Sequence, residues 1–379
     1  MYNERFSGAG AADWAVLDDG LPPIPNVDFP YNQFVMPALL RAYDHFLAND
    51  PAPDGIGLQD HFAAMWAQAA KAVGGTEGLF GYEFYNEPWP GFQYPFCIFG
   101  DCAFADGQLT SLNRKVAAAI RQVDATTMLY YEPYSLFNTG FPTTVGALND
   151  PNAGFAFHDY CSVAQVLGTY SLCRPIDEAA VFNNADTRIK GTGEASLLTE
   201  FGASNSVELL DSITSLADQH MVGWQYWAYN EGFVKSVGEP PVGDNLDTLH
   251  PPLLSAPHPR SIAGTPLSYG FDRASSTFTL RYTAQRVDGA GAFAPGAATE
   301  IAVPPSQYLH GYTVAVNGAT VTSTANAPVL RVSAGVGALE MSVTITPGSE
   351  HRLAPRGSAV TITPARGSPG PLTTLERSP

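Results

Sequence analysis

Leu79-Phe-Gly-Tyr-Glu-Phe-Tyr-Asn-Glu-Pro-Trp-Pro90 decides how this chain folds. An apolar, aromatic run climbs to Tyr85 and breaks at Asn86-Glu87-Pro88. Glycines precede it and prolines follow, which predicts a buried parallel strand with a polar pair at its exit. In an α/β barrel that rim collects catalytic side chains, because strands fix the backbone while loops admit a ligand. A second run, Ser196-Leu-Leu-Thr-Glu-Phe-Gly202, also ends on a carboxylate, Glu200. Two rim carboxylates on different strands are what glycoside hydrolysis requires.

Working outward, strand and helix patterns alternate. The pattern predicts helices over Met36–Leu47, Gly57–Val73, Leu109–Val123, Asp177–Thr192 and Ser206–Gln219. In the second of these, Leu58, Phe62, Met65, Trp66 and Ala69 share one face. Strands are predicted over Leu79–Glu87, Thr127–Glu132, Gly154–Tyr160, Ser196–Phe201 and Met221–Tyr229. Such alternation means a parallel sheet. Five units of an eight-stranded (β/α)8 barrel are visible, and Met1 opens in loop-like sequence, so the first three strands are expected upstream. Residues 1–255 are assigned to the barrel and 256–350 to an all-β sandwich of short, β-branched runs. Pro240–Pro266 is read as a linker between them, and 351–379 as a disordered tail.

With 19 basic and 36 acidic residues the net charge is −17, which argues against nucleic acid or an anionic membrane as partner. A neutral, polar or zwitterionic ligand fits better. The four cysteines form two close pairs, Cys97 with Cys102 and Cys161 with Cys173. Neither has zinc spacing, so loop-closing disulfides of an exported protein are preferred to metal ligands or free thiols.

Asn86-Glu87-Pro88, His158-Asp-Tyr160, Thr199-Glu-Phe-Gly202 and Trp224-Gln-Tyr-Trp227 together resemble glycoside hydrolase family 5. Gly81–Gly91, Tyr131-Glu-Pro-Tyr-Ser-Leu-Phe137 and the following β region are similar to its endoglycoceramidase branch. The resemblance implies a retaining enzyme on a partial barrel, about strands four to eight, that needs no metal or cofactor. It implies Glu87 as acid/base and Glu200 as nucleophile. Asn86 would reach the sugar 2-hydroxyl, Tyr160 would orient Glu200, His158 would line the site near Glu87, and Trp227 would floor it. Trp224 is expected in the core and Glu83 as a buried structural acid. Glu132 and Glu231 are rivals, ranked as substrate contacts. The implied reaction splits the β-glycosidic bond between oligosaccharide and ceramide. A family 5 glucanase, a glucosidase on simple or sterol glycosides, and an inert sugar- or lipid-binding barrel are the alternatives. Phe92, Tyr94, Phe96 and Phe99 would either line the lipid side or pack inside their own disulfide-closed loop. The expected partners are a glycolipid or oligosaccharide and a peripheral membrane contact, and the expected location is secreted or cell-surface. Oligomeric state is left open.

Overall fold

The structure is a computed structural model that describes residues 2–161, 173, 175–229 and 233–348. Helices α1 (Pro37–Ala48) and α2 (Leu58–Val73) lead into strand β1 (Gly81–Glu83). Then follow α3 (Ala103–Arg121), β2 (Met128–Tyr131), β3 (Ala153–Asp159), α4 (Pro175–Thr192), β4 (Ala195–Phe201), α5 (Val207–His220) and β5 (Gly223–Trp224). The five strands pair in sequence order, all parallel. They form part of a (β/α)8 barrel. The expected helices and strands are all present; helix α3 begins six residues before its apolar pattern does. Strands β1 and β5 are shorter than their apolar runs, because only Gly81 to Glu83 pair with β2 and only Gly223 and Trp224 pair with β4.

Alternation sorts the side chains into two faces. Leu129, Tyr131, Phe155, Phe157 and Leu198 face outward and are buried against the helices. The inward face is filled low down by Tyr130, Ala156 and Leu197, a small cluster of its own. Tyr130 lies across its neighbours only because they are glycines: a Cβ on Gly81 or Gly154 would meet its ring at 2.7 or 2.4 Å. The inward positions above that plug belong to Glu83, Glu132 and His158.

Beyond β5 the described residues form eight antiparallel strands: β6 (His258–Ser261), β7 (Thr265–Asp272), β8 (Thr277–Thr283), β9 (Ala298–Ala302), β10 (Tyr312–Asn317), β11 (Ala319–Val321), β12 (Val329–Ala334) and β13 (Glu340–Pro347). They form two four-stranded sheets, β10-β13-β8-β7 and β11-β12-β9-β6. Phe278, Leu280, Ile301, Val332, Val343 and Ile345 fill the space between them. The reading of Pro240–Pro266 as a linker needs correction. That stretch holds a short helix, His250–Leu254, all of β6, and the start of β7. Pro259 and Pro266 sit at register shifts, where a missing N–H costs the ladder little. Helix α5 packs against β7, and Arg273 pairs with Asp211 across that seam. The tail 351–379 lies outside the described residues.

Candidate active site

The site is built from strand ends. Glu87 follows β1 and has a left-handed backbone, φ +47°, which costs a non-glycine residue on the order of 1 kcal/mol. Its N–H donates to Glu132 Oε2 at 3.1 Å. Its Oε1 accepts from Asn138 Nδ2 at 2.8 Å and faces His158 Nδ1 at 2.9 Å. Asn86 is exposed at the adjoining position.

Strand β4 carries one extra residue. Phe157 pairs with Leu198, but His158 pairs with Glu200, so Thr199 is a bulge. A regular ladder would put Thr199 opposite His158; the bulge gives that inward position to Glu200. Tyr160, just past β3, donates its hydroxyl to Glu200 Oε2 at 2.9 Å, and His158 Nδ1 is 3.4 Å from the same oxygen. One carboxylate oxygen each from Glu87 and Glu200 lie within 4.8 Å of each other and of the imidazole. This is the near spacing of a retaining pair. Trp227 hydrogen-bonds through its backbone to Phe201 and Ala203, and its ring is 50% exposed at the rim, open to stack on a sugar. Trp224 packs against Phe201 and the core.

Electrostatics follow from burial. Burial itself, the largest influence on His158, opposes its charge. Glu132, Glu87 and Glu200 together outweigh it and raise the imidazole to about 10. Burial raises Glu132 to about 8 against the pull of His158. Burial also raises Glu200, while His158 and Tyr160 hold it down. Ligand atoms of Glu83, Glu132 and His158, and of Glu87, His158 and Glu200, cluster closely enough for a metal ion. A protonated imidazole has no lone pair to give, so the cluster supplies its own cation.

Glu87, Glu200, His158 and Tyr160 are thus brought together as the sequence predicts. Glu132 is not where a sugar contact would be. It is 3% exposed, beneath the mouth, and bonded to Glu87. Asn138 was missed by sequence reasoning, although it directly follows the Tyr131–Phe137 string; an amide in a short helical turn gives no signal of its own. Glu231 lies outside the described residues. Both cysteine pairs are disulfides. Around the Cys97–Cys102 disulfide, Tyr94 turns inward against Trp89 and Phe34, whereas Phe92, Phe96, Phe99 and Phe104 are exposed.

A strand-end carboxylate pair within one parallel barrel sheet, followed by a β-sandwich, defines a glycosidase-type enzyme. The family model "Cellulase (glycosyl hydrolase family 5)" matches residues 43–232, and "Glycoside hydrolase family 5 C-terminal domain" matches 257–346. The chain belongs to glycoside hydrolase family 5. It is similar to endoglycoceramidase I of Rhodococcus hoagii (strain 103S), 28% identical over 375 residues, covering 94% of this chain and 70% of that one. Endoglycoceramidase of Cyanea nozakii is 24% identical over 324 residues, 74% of this chain and 60% of the relative, less than two thirds of its length. Among solved structures, the ganglioside GM3 complex of endo-glycoceramidase II from Rhodococcus sp. shares the fold with a TM-score of 0.72 at 24% identity. That match covers 90% of this chain and 74% of the other. Sterylglucosidase 1 of Cryptococcus neoformans matches with a TM-score of 0.63 at 12% identity, covering 91% and 80%.

Proposed function

We propose that the chain is a retaining endo-glycosidase that hydrolyses the β-glycosidic bond between an oligosaccharide and ceramide. Glu200 attacks the anomeric carbon while Glu87 gives its proton to the departing ceramide oxygen. The C–O bond to ceramide breaks as the ester bond to Glu200 forms. Glu87, now ionised, takes a proton from water, and the resulting attack on the anomeric carbon releases sugar and restores Glu200. Tyr160 and the His158 imidazolium steady the negative charge on Glu200 before attack, and Trp227 stacks under the sugar bound ahead of the scissile bond. Asn86 is assigned to the 2-hydroxyl, where a hydrogen bond strengthens as charge develops.

The observation that carries this reading is the approach of Glu87 and Glu200, within 4.8 Å across one imidazole. The lipid half is supported by the names of the two relatives and by the exposed Phe92, Phe96 and Phe99 on the segment that follows Glu87. No Lys or Arg occurs between Pro88 and Asn113, which suits an uncharged or zwitterionic lipid surface. A secreted location is proposed on the two disulfides.

A 2-deoxy-2-fluoro glycoside, followed by peptide mapping, tests the mechanism: an adduct is expected on Glu200. Hydrolysis rates on ceramide-linked oligosaccharide, a steryl glucoside and cellulose fragments then test the aglycone, with the first expected to be fastest. A folded sample with no adduct would favour an inert binding module.

A further inference from the structure

The inward column of this barrel contains two acids that the proposed chemistry does not use, Glu83 and Glu132, and Glu132 is the one that contacts the Glu87 backbone. Glu132 leaves β2 directly before Pro133, and its side chain lies beneath the mouth, 3% exposed. A carboxyl group so placed is costly unless it is engaged. Its Oε2 meets two partners: the N–H of Glu87 at 3.1 Å and His158 Nε2 at 3.5 Å. The opposite ring nitrogen, Nδ1, faces Glu87 Oε1 and Glu200 Oε2. Glu132 therefore touches the backbone of one member of the pair, and reaches the carboxylates of both through one ring.

We propose that Glu132 is a positioning residue: it holds the left-handed backbone of Glu87 by its N–H, and holds His158 so that the ring presents N–H rather than a lone pair to Glu87. This rests on the reading of Glu87 as acid/base. The residue acts through its neighbours and never meets the substrate. Around His158 stand Glu83 and Glu87 from the β1 segment, Glu132 from β2, Glu200 from β4, and the ring of Tyr160 at 6.2 Å. Of these, Glu132 is the one within ion-pair distance of Nε2 among the described residues, and its removal leaves Glu83, within 4.8 Å in the same cluster, as the nearest remaining acid there. The raised proton affinities of His158 and Glu132 agree with a proton held between them.

Two leaving groups separate positioning from mere support. A dinitrophenyl glycoside departs without protonation, whereas an alkyl glycoside of the same sugar needs the acid. Glu132→Gln keeps an oxygen for the Glu87 N–H and removes the charge. It is expected to lower kcat on the alkyl glycoside about 10- to 100-fold, with KM changed by less than about threefold. On the dinitrophenyl glycoside it should change the rate of the glycosylation step by less than about threefold. In the same folded variant, the ¹⁵N NMR titration midpoint of His158 should fall by about one pH unit or more. Glu132→Asp, which keeps the charge and shortens the reach, should show the leaving-group-dependent loss with a smaller NMR shift; it also serves if the glutamine variant does not fold. Equal losses on both substrates, or an unmoved His158 titration in Glu132→Gln, would overturn the proposal. Glu87→Gln is the control for the underlying reading. If that variant shows no leaving-group dependence, the acid/base assignment of Glu87 falls, whatever His158 does.

Discussion

In the β-sandwich, the described ion pairs Arg281–Glu340, Arg286–Asp288 and Arg331–Glu300 lie at the surface, and Thr299 is the buried polar residue of strands β6 to β13. At the barrel mouth the pattern is reversed: Glu132 and His158 are 3% and 1% exposed, with Glu83, Glu87 and Glu200 around the same ring. A stable sandwich needs only apolar filling, and surface pairs there contribute about 0–1 kcal/mol each. Gathering one buried and three half-buried carboxyl groups around one imidazole adds little to stability, because desolvation offsets the attraction. Where a fold tolerates such a group, chemistry is the physical reason.

The comparison breaks most visibly at the nucleophile. Glu200→Gln removes the attacking oxygen and is expected to lower kcat on the order of 10⁴-fold or more. Its Tm should stay level or rise, since burial already disfavours that carboxylate. A clear fall in Tm alongside the lost activity would mean that the mouth is ordinary structural polarity.

The aromatic loop gives a smaller effect. Replacing Phe96 and Phe99 together by Ser should raise KM for a ceramide-linked substrate in zwitterionic micelles on the order of 100-fold or more, since each buried phenyl contributes roughly 1.5–3 kcal/mol. The rate on a water-soluble aryl glycoside should not change. If both substrates respond alike, the loop supports the barrel instead of meeting lipid.

The smallest effect lies at the seam between the two regions. Asp218 on α5 is raised by burial from 3.8 to about 7, against the backbone of Phe271 and the charge of Arg273. A raised folded value means that this group's stabilising contribution is complete below the unfolded value and is lost as pH climbs through about 7. Asp218→Asn should therefore raise Tm by on the order of 2 °C at pH 8 and by less at pH 5. Equal gains at both pH values would place the cause elsewhere.

Much of this was legible in the residues, for reasons that differ by element. Strand-exit carboxylates are visible because an apolar run and a proline bracket them, so Glu87 and Glu200 could be placed before any coordinates. Alternation put His158 and Tyr160 on one face, and their places beside Glu87 and Glu200 came from the family resemblance. Strands β6 and β7 were hidden by Pro259 and Pro266, since proline argues against a strand unless the bulge beside it is known. Glu132 was misread because sequence locates a side chain along a strand and not by depth. Its distance beneath the rim depends on how Tyr130, Ala156 and Leu197 fill the barrel below it. The inward face of Phe96 or Phe99 was equally open from sequence, and only Tyr94 turned toward the core.

The bulge at Thr199 has a wider consequence. Pairing Thr199 regularly with His158 would leave composition, hydrophobicity and every catalytic letter intact, yet would swing the nucleophile toward the helical shell. Strand phase is therefore inherited as part of the chemistry, and a variant can lose its reaction through arithmetic alone, with no functional group altered.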